Sequence, residues 1–356
     1  MKVKVSGVIT LTSPLHISDP EKGWRFDVES GRVKRAQKGG FSCTATRTES
    51  FRCQQAVTET NPIGRVRLPI IPAQGIKGNL RRAAEKIVEN SFIDRGMHMK
   101  AALYQAMRTG AVTGRPDGSI PPLDVAKSRR EHFFAGLFGG GTQMVPGWLY
   151  AKDGRLFADC YIENGAVPDG LSEQISSAYS YQLLEGRPII RKDDFMQGVD
   201  PDAPSHIEDY DEYMLTQIEE ITKRRASKKS GDEDGDGSRS LQSISYVETV
   251  IGGTEFYFEV GANNINEAQA GMLIESLAAW LSSAKLGGKS GVGFGSFTHD
   301  LSVQVDDTLY QGVFGDETSP ISANCPDEIL TLTSAMYDAL ENTTPDDLMG
   351  YMVTGV

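Results

Sequence analysis

Apolar and polar residues alternate from Lys2 to Leu11, with Val3, Val5, Gly7, Ile9 and Leu11 on one side. A period of two predicts a half-buried strand. Ser13-Pro14 ends it. The stretch from Pro20 to Pro69 keeps no period and is rich in Arg, Lys, Gly, Ser and Thr, so it reads as an insertion that includes a hairpin. From Gln74 to Ser91 the spacing changes. Ile76, Leu80, Ala83, Ala84, Ile87 and Val88 form one stripe at helical period, and Pro72 sits just ahead, where a proline does no harm. A second helix is predicted over Ile93 to Arg108, and a loop over Thr109 to Pro122. Trp148 to Tyr150 and Arg155 to Ile162 read as two short strands about a hairpin turn at Lys152-Asp153-Gly154. Gly165 to Tyr246 is mixed, and its KKSGDEDGDGSRS run has too little apolar surface to order itself. Glu255 to Val260 is a strand. Asn266, with Gln269 three residues on, then marks a helix start for the stripe Ala270, Leu273, Ile274, Leu277 and Leu281. A glycine-rich turn leads to a last strand over Phe294 to Val305. One more helix is predicted near Pro326 to Leu340.

Without the insertions the order is strand, helix, strand pair, strand, helix, strand. The fold class is therefore α+β, compatible with a ferredoxin-like β-α-β-β-α-β unit, which is also the topology of the RNA-recognition module. Topology alone assigns no function.

Composition narrows the classes. At 356 residues and 39% hydrophobic, the chain can bury a real core. No apolar run approaches the roughly 20 residues that span a bilayer, and the opening MKVKVSGVITL reads as a strand and not as a signal peptide. Cys43, Cys53, Cys160 and Cys325 are scattered, which argues against a zinc site or a disulfide framework and fits a reducing cytoplasm. A net charge of -12 looks wrong for a nucleic-acid binder, but the charge is unevenly spread. Asp300 to Val356 carries eleven acids and no Lys or Arg, which leaves 36 basic against 37 acidic residues elsewhere. Lys22 to Arg52 has a local excess of five cations, Asn61 to Asn90 of four, and Asp200 to Glu220 holds eight acids and no base. Such a chain has basic and acidic faces, unless each run is merely solvated surface.

Two motifs carry chemistry. In the first, IPAQGIKGNLRR from Ile71 to Arg82, Gly75 and Gly78 let another backbone come close at a helix start whose amides favour phosphate. Lys77 with Arg81, and Arg82 with Lys86, set cations one turn apart along the flank of the apolar stripe, although an ordinary solvated helix shows the same spacing. In the second, LGGKSGVGFGSF from Leu286 to Phe297, the glycines lead from a helix into a strand, with Lys289 among them. That order excludes a Walker A loop and fits a dinucleotide fingerprint poorly. What remains is either a tight structural connection or a turn whose amides grip an oligonucleotide backbone.

These residues resemble a known family. IPAQGIKGNLRRAAE is similar to the helix start of the RAMP superfamily of CRISPR proteins, and LGGKSGVGFGSF to that superfamily's glycine-rich loop. GVITLTSPLHIS (Gly7 to Ser18) resembles its first strand, and Phe138-Gly139 followed by GRLFAD (Gly154 to Asp159) its Phe-Gly region. All four occur in the family's order. Gln74 departs from the pattern, which usually has a small hydroxyl residue there. Within the superfamily the closest resemblance is to the backbone subunit of class 1 effectors, in its type IV version.

That resemblance implies a palm built from 1–12, 71–95, 145–164 and 247–305, and a finger-like insertion over 13–70. It also implies a helical insertion over 96–144, a thumb-like insertion over 165–246 with a flexible tip near 226–240, and an acidic segment over 306–356. It implies copies stacked head-to-tail along the guide RNA (crRNA), with other effector subunits as partners and a target nucleic acid engaged through guide pairing. No cofactor and no membrane are implied. The residues expected at the RNA are Lys77, Asn79, Arg81 and Arg82, then Gly287, Gly288, Lys289, Ser290 and Gly291, with His16, Arg25, Lys34 and Arg35. Phe294 is placed either to stack a base or to pack in the core.

Two other classes compete. A RAMP endoribonuclease needs a general base. His16 is the histidine within a motif, whereas His98, His132, His206 and His299 lie outside the motifs. Cleavage of target RNA would draw on Asp193 or Asp194, which sit beside Arg191 and Lys192 as surface ion pairs often do. A plain interaction scaffold suits the acidic tail but leaves the glycine-rich loop unexplained. The sequence therefore favours guide binding without catalysis.

Overall fold

The computed structural model describes residues 1–36, 41–110, 122–141, 145–174, 182–192 and 242–354, together with 212, 215, 216 and 219. It is a mixed α+β structure whose largest sheet surrounds the first strand. β1 (Lys2–Leu11) is followed by β2 (Trp24–Asp27), β3 (Arg32–Arg35), β4 (Phe41–Thr44), β5 (Thr48–Arg52) and β6 (Arg65–Ile71). Later come β7 (Gly139–Gly140), β8 (Val145–Pro146), β9 (Leu149–Ala151), β10 (Gly154–Leu156), β11 (Leu184–Lys192), β12 (Gln242–Val250), β13 (Glu255–Asn263), β14 (Phe297–Val305) and β15 (Thr308–Tyr310). The large sheet runs β15-β14-β1-β13-β10-β6-β5, with β9 also on β13. Every pairing in it is antiparallel.

Two helices cover this sheet, α1 (Ala73–Asp94) and, further along, the helix Glu267–Ser283. Between them come α2 (Ala101–Thr109), α3 (Leu123–Glu131), α4 (Ala135–Phe138) and α5 (Asp159–Glu163), so Glu267–Ser283 is α6. Val3, Val5, Ile9 and Leu11 of β1 are buried in one core with Ile76, Leu80, Ala84 and Val88 of α1 and Leu273, Ile274 and Leu277 of α6. Asn266 caps α6. Its side chain accepts from the Gln269 amide, the Gln269 side chain accepts from the Asn266 amide, and Gln269 also donates to the Arg130 and His132 carbonyls. One capping pair thus fixes both the helix start and the α3–α4 connection.

A second sheet runs β11-β12-β4-β2-β3. It joins the 13–70 segment to the two strands that flank the acidic insertion. The flexible tip read from the sequence at 226–240 lies outside the described residues, as do Asp193, Asp194, His206 and all of the acidic stretch Asp200 to Glu220 except 212, 215, 216 and 219.

Several elements differ from the sequence reading. Lys152-Asp153-Gly154 is not a hairpin turn: β9 and β10 both pair with β13 and lie along it as one interrupted strand. The second of them stops at Leu156, because the chain turns into α5 at Asp159. The segment Ile93 to Arg108 is not one helix. α1 runs on to Asp94, Gly96 takes a left-handed φ of 67°, and α2 begins at Ala101. The last strand starts at Phe297, because Gly295 closes back on Leu286 just before it.

The acidic C-terminal segment folds onto the core. Its helix α7 (Asp327–Glu341) buries Ile329, Leu332, Met336 and Leu340, and α8 (Pro345–Met349) follows. α7 lies so close to α6 that a side chain on Gly271 would meet the Leu332 carbonyl.

Candidate nucleic-acid interface

The start of α1 is less open to an anion than its sequence suggests. The Ala73 amide donates to Asp153 Oδ1 at 2.7 Å, and the Gly75 and Ile76 amides donate to the Pro72 carbonyl. The positive end of the helix dipole therefore already faces a carboxylate. Lys77 is half-buried, and burial, with Arg81 close by, pushes its ammonium below the usual lysine range.

Arg81 points inward. Its guanidinium donates to the Phe138 carbonyl at 2.5 Å and to the Gly139 carbonyl at 3.2 Å, and lies over the Phe138 ring. Burial, with Arg129 as neighbour, pulls its pKa down to about 10. Arg129 is fully buried and donates to the Gly140 carbonyl. Two arginines thus hold three successive carbonyls, which makes Arg81 a brace for the Phe-Gly segment.

Arg82 stays outside, and Asn79 Oδ1 accepts from it at 2.6 Å. Both line a groove of about 410 Å³ between α1 and α6, with Lys86 and Lys285 along it and Ala83, Ile87 and Trp280 among its apolar residues. Lys86 pairs with Glu89 at 2.6 Å, and Lys285 donates to Ser296 Oγ at 2.7 Å. The groove brings the cations of the first motif to the root of the second. Lys285 stands one residue before the glycine-rich motif, and that adjacency was the sequence signal for it.

The glycine-rich loop divides into a packed root and an open tip. At the root the Gly288 amide donates to the His16 carbonyl, the Gly295 amide to the Pro14 carbonyl and the Leu286 amide to the Gly295 carbonyl, each at 2.8 Å. A side chain on Gly287 would run into the His16 carbonyl, and one on Gly295 into the Leu286 carbonyl. At the tip, Lys289, Ser290, Gly291, Val292 and Gly293 are exposed. Lys289 adopts a left-handed φ of 63°. The Val292, Gly293 and Phe294 amides bond back to Lys289 and Ser290. The amides of Lys289, Ser290 and Gly291 make no bond among the described residues. Three successive free donors therefore stand beside one ammonium. Phe294 is half-buried behind them.

His16 lies beneath this loop. Its Nδ1 is 2.7 Å from the Glu248 carbonyl, which can only accept, so Nδ1 carries the proton. Nε2 then accepts from the Ser18 hydroxyl at 3.0 Å. Burial lowers the His16 pKa, so both ring nitrogens of a neutral imidazole are engaged in holding the loop's bed.

Arg25, Lys34 and Arg35 stand on the β2–β3 hairpin, where Arg25 faces Lys34 and Trp24 faces Arg35. Lys34 pairs with Asp27, and Arg35 with Glu21 at 3.1 Å. Lys34 and Arg35 are therefore partly neutralised by nearby carboxylates. On the face of β13 opposite Phe256 and Phe258, the Tyr257 hydroxyl and Lys152 both donate to Glu259, and Tyr257 and Glu259 are both buried. The Tyr257 ring is therefore not presented to solvent as the stacking rings of an RNA-recognition module are. Among the described residues no helix is long and apolar enough to cross a membrane.

No curated protein matches the chain. Among solved structures, a chain of a "Type IV-B CRISPR Complex" is similar at 15% identity with a TM-score of 0.49, covering 86% of this chain and 92% of that one. The family model for the RAMP superfamily matches residues 8–298, which include the end of the first strand, both glycine-containing motifs and the Phe-Gly segment. The chain belongs to the RAMP superfamily.

Proposed function

We propose that this chain is a non-catalytic backbone subunit of a type IV CRISPR effector, which binds guide RNA and stacks in several copies along it. The observation that carries this reading is the continuity between the Arg82–Lys86–Lys285 groove and the exposed amides of Lys289, Ser290 and Gly291. Cations and free amides in series suit a phosphate backbone and carry no base readout of their own.

In this reading the core is a ferredoxin-like palm. The order β14-β1-β13 with β9 and β10 beyond, all antiparallel, with α1 and α6 as the crossovers, supports it. The β2–β5 segment is then the finger, and the β11–β12 ribbon the root of the thumb. The partners are crRNA, further copies, the remaining effector subunits and a target paired to the guide. The engagement of both His16 nitrogens supports a role without catalysis.

The test is purification of the chain from a host that expresses precursor guide RNA. It should carry small RNA of one defined length. Lys77→Ala and Lys289→Ala should each weaken binding of unrelated guides to a similar extent and lower the salt slope by about 0.7. A change in guide preference would overturn the backbone-contact assignment. Precursor and complementary target should both stay intact with and without magnesium. Products lost in His16→Ala would replace this reading with a processing nuclease.

A further inference from the structure

The groove beside α1 does not end at its cations. A second cavity of about 580 Å³ continues it between α1 and α7, and the two share Ile87 and Asn90. Ile87, Leu340 and Tyr337 give this second part apolar surface, and the Tyr337 ring is 45% exposed. Asp94 and Glu341 also line it, and both are exposed. Among the described residues neither carboxylate is in an ion pair. The guanidinium beside them, Arg95, donates to the Ser91, Glu341 and Thr343 carbonyls instead. The groove is therefore basic at Arg82, Lys86 and Lys285, apolar in its middle and acidic at its far end.

One stretch of this chain carries the complementary order. Ile207, Tyr210, Met214, Ile218 and Ile221 recur at helical spacing. Glu208, Asp209, Asp211 and Glu212 lie at the start of this stretch, and Lys223, Arg224 and Arg225 follow its end. Its described residues Glu212, Leu215, Thr216 and Glu219 are helical. Leu215, beside the stripe, is 63% exposed, so the apolar side is not buried at that point. An amphipathic helix needs a surface for that side. The lengths also agree. Arg82 and Asp94 are twelve residues apart, as are Glu212 and Arg224. In helices both separations span roughly 18 Å.

The stretch is carried by the β11–β12 ribbon. The ribbon pairs from Leu184 with Val250 out to Lys192 with Gln242. That takes its outer end roughly 27 Å from its base, a stalk long enough to reach a neighbour.

We propose that the groove along α1 receives this stretch from a second copy of the chain, as a helix running in the same direction as α1. Ile218 and Ile221 then cover Ile87, Leu340 and Tyr337. The cations that follow them meet Asp94 and Glu341, and the acidic start points toward Arg82 and Lys86. The inference rests on the reading in which copies stack along RNA, and it names the surface that receives the neighbour. The α7 half of the groove, which seats the apolar residues, holds none of the cations assigned to RNA. A lone copy on a short RNA has no guest in its groove.

The test uses full-length chains and charge reversal on either side of the contact. Asp94→Lys with Glu341→Lys changes the groove, and Lys223→Glu with Arg224→Glu changes the guest. Each pair should lower the cooperativity of binding to long RNA several-fold, with single-copy affinity for a short RNA and the melting temperature nearly unchanged. The chain with all four reversals should regain cooperativity. In a second measurement, Asn90→Cys and Ile218→Cys are placed on different chains and mixed on long RNA. A bis-maleimide should join the two chains. A crosslink that forms only within a chain bearing both would show that the stretch lies on its own groove, and would overturn the proposal. Copies that still add stepwise along RNA, with cooperativity untouched by either pair or not regained with all four, would remove this contact and leave the stacking reading standing. One or two copies whatever the RNA length would overturn both.

Discussion

At the scale of single residues, the same side-chain type serves opposite purposes at adjacent positions. Lys77, Arg81 and Arg82 look alike in sequence, yet Arg82 is exposed on the groove while Arg81 is sealed against the Phe138 and Gly139 carbonyls. Nothing local in the sequence separates them, because the carbonyls that claim Arg81 lie more than fifty residues away. His132 shows a similar dependence on context. Its Nδ1 accepts from the Phe134 and Ala135 amides, so the proton sits on Nε2, which is buried without an acceptor. Protonating Nδ1 would set a third donor against two amides. Burial accordingly lowers the pKa from 6.5 to about 4. Between those values the unfolded chain takes up a proton that the folded chain refuses, so stability falls on acidification. Linkage puts this loss at up to about 3 kcal/mol. Denaturant titrations between pH 7 and pH 4 should show the decline. His132→Asn, whose side-chain oxygen can accept from the same two amides, should make it shallower. An unchanged slope would show that His132 is not the group responsible.

At the scale of elements, periodicity found the strands and helices whose buried faces are regular. β1, the starts of α1 and α6 and the capping pair Asn266 with Gln269 were all legible, because each is specified by neighbours within a turn or a pleat. The break between α1 and α2 was not. Arg95 is held there by the Glu341 and Thr343 carbonyls, contacts made with the far end of the chain. The β9–β10 pair was read as a hairpin because a Lys-Asp-Gly turn fits one, but Asp153 instead accepts from the α1 amide and Lys152 reaches Glu259. For the candidate site, the two motifs were visible in the sequence. The groove that joins them was not, since it exists only where α1 packs on α6. The glycine-rich loop then separates architecture from binding. Gly287→Ala would drive a side chain into the His16 carbonyl at a left-handed φ of 69° and should lower the melting temperature by several degrees. Gly291→Ala meets no atom within 4 Å and should leave the melting temperature nearly unchanged. Equal effects of the two on thermal unfolding would contradict the division into root and tip.

At the scale of the whole molecule, basic and acidic side chains are gathered on different elements. Arg82, Lys86, Lys285 and Lys289 are exposed along the groove and loop, while Asp327, Glu328, Asp338 and Glu341 are exposed on α7 and Asp346 and Asp347 on α8. The acidic residues near the C-terminus are thus fixed on a packed helix and present a constant surface. Basic and acidic regions on one body favour a heterologous contact, and such contacts generate an open helix unless the rotation happens to close a ring. A shared strand would add a second tether, so each copy binds both the RNA and its predecessor, and binding becomes cooperative. Lengthening the RNA should then add copies in equal increments of nucleotides, read as evenly spaced mass steps in native mass spectrometry. The acidic run from Asp200 to Glu220 is the proposed contact with the neighbour. Its described residues Glu212, Leu215, Thr216 and Glu219 are all exposed. Neutralising Asp209, Asp211 and Glu212 together should reduce cooperativity on long RNA while single-copy affinity for a short RNA stays nearly constant. Higher salt should weaken both, but the variant should lose less of its cooperativity to salt than the parent, because the contact that salt screens has already been removed. A stoichiometry fixed at one or two copies whatever the RNA length would reduce the protein to a discrete RNA binder.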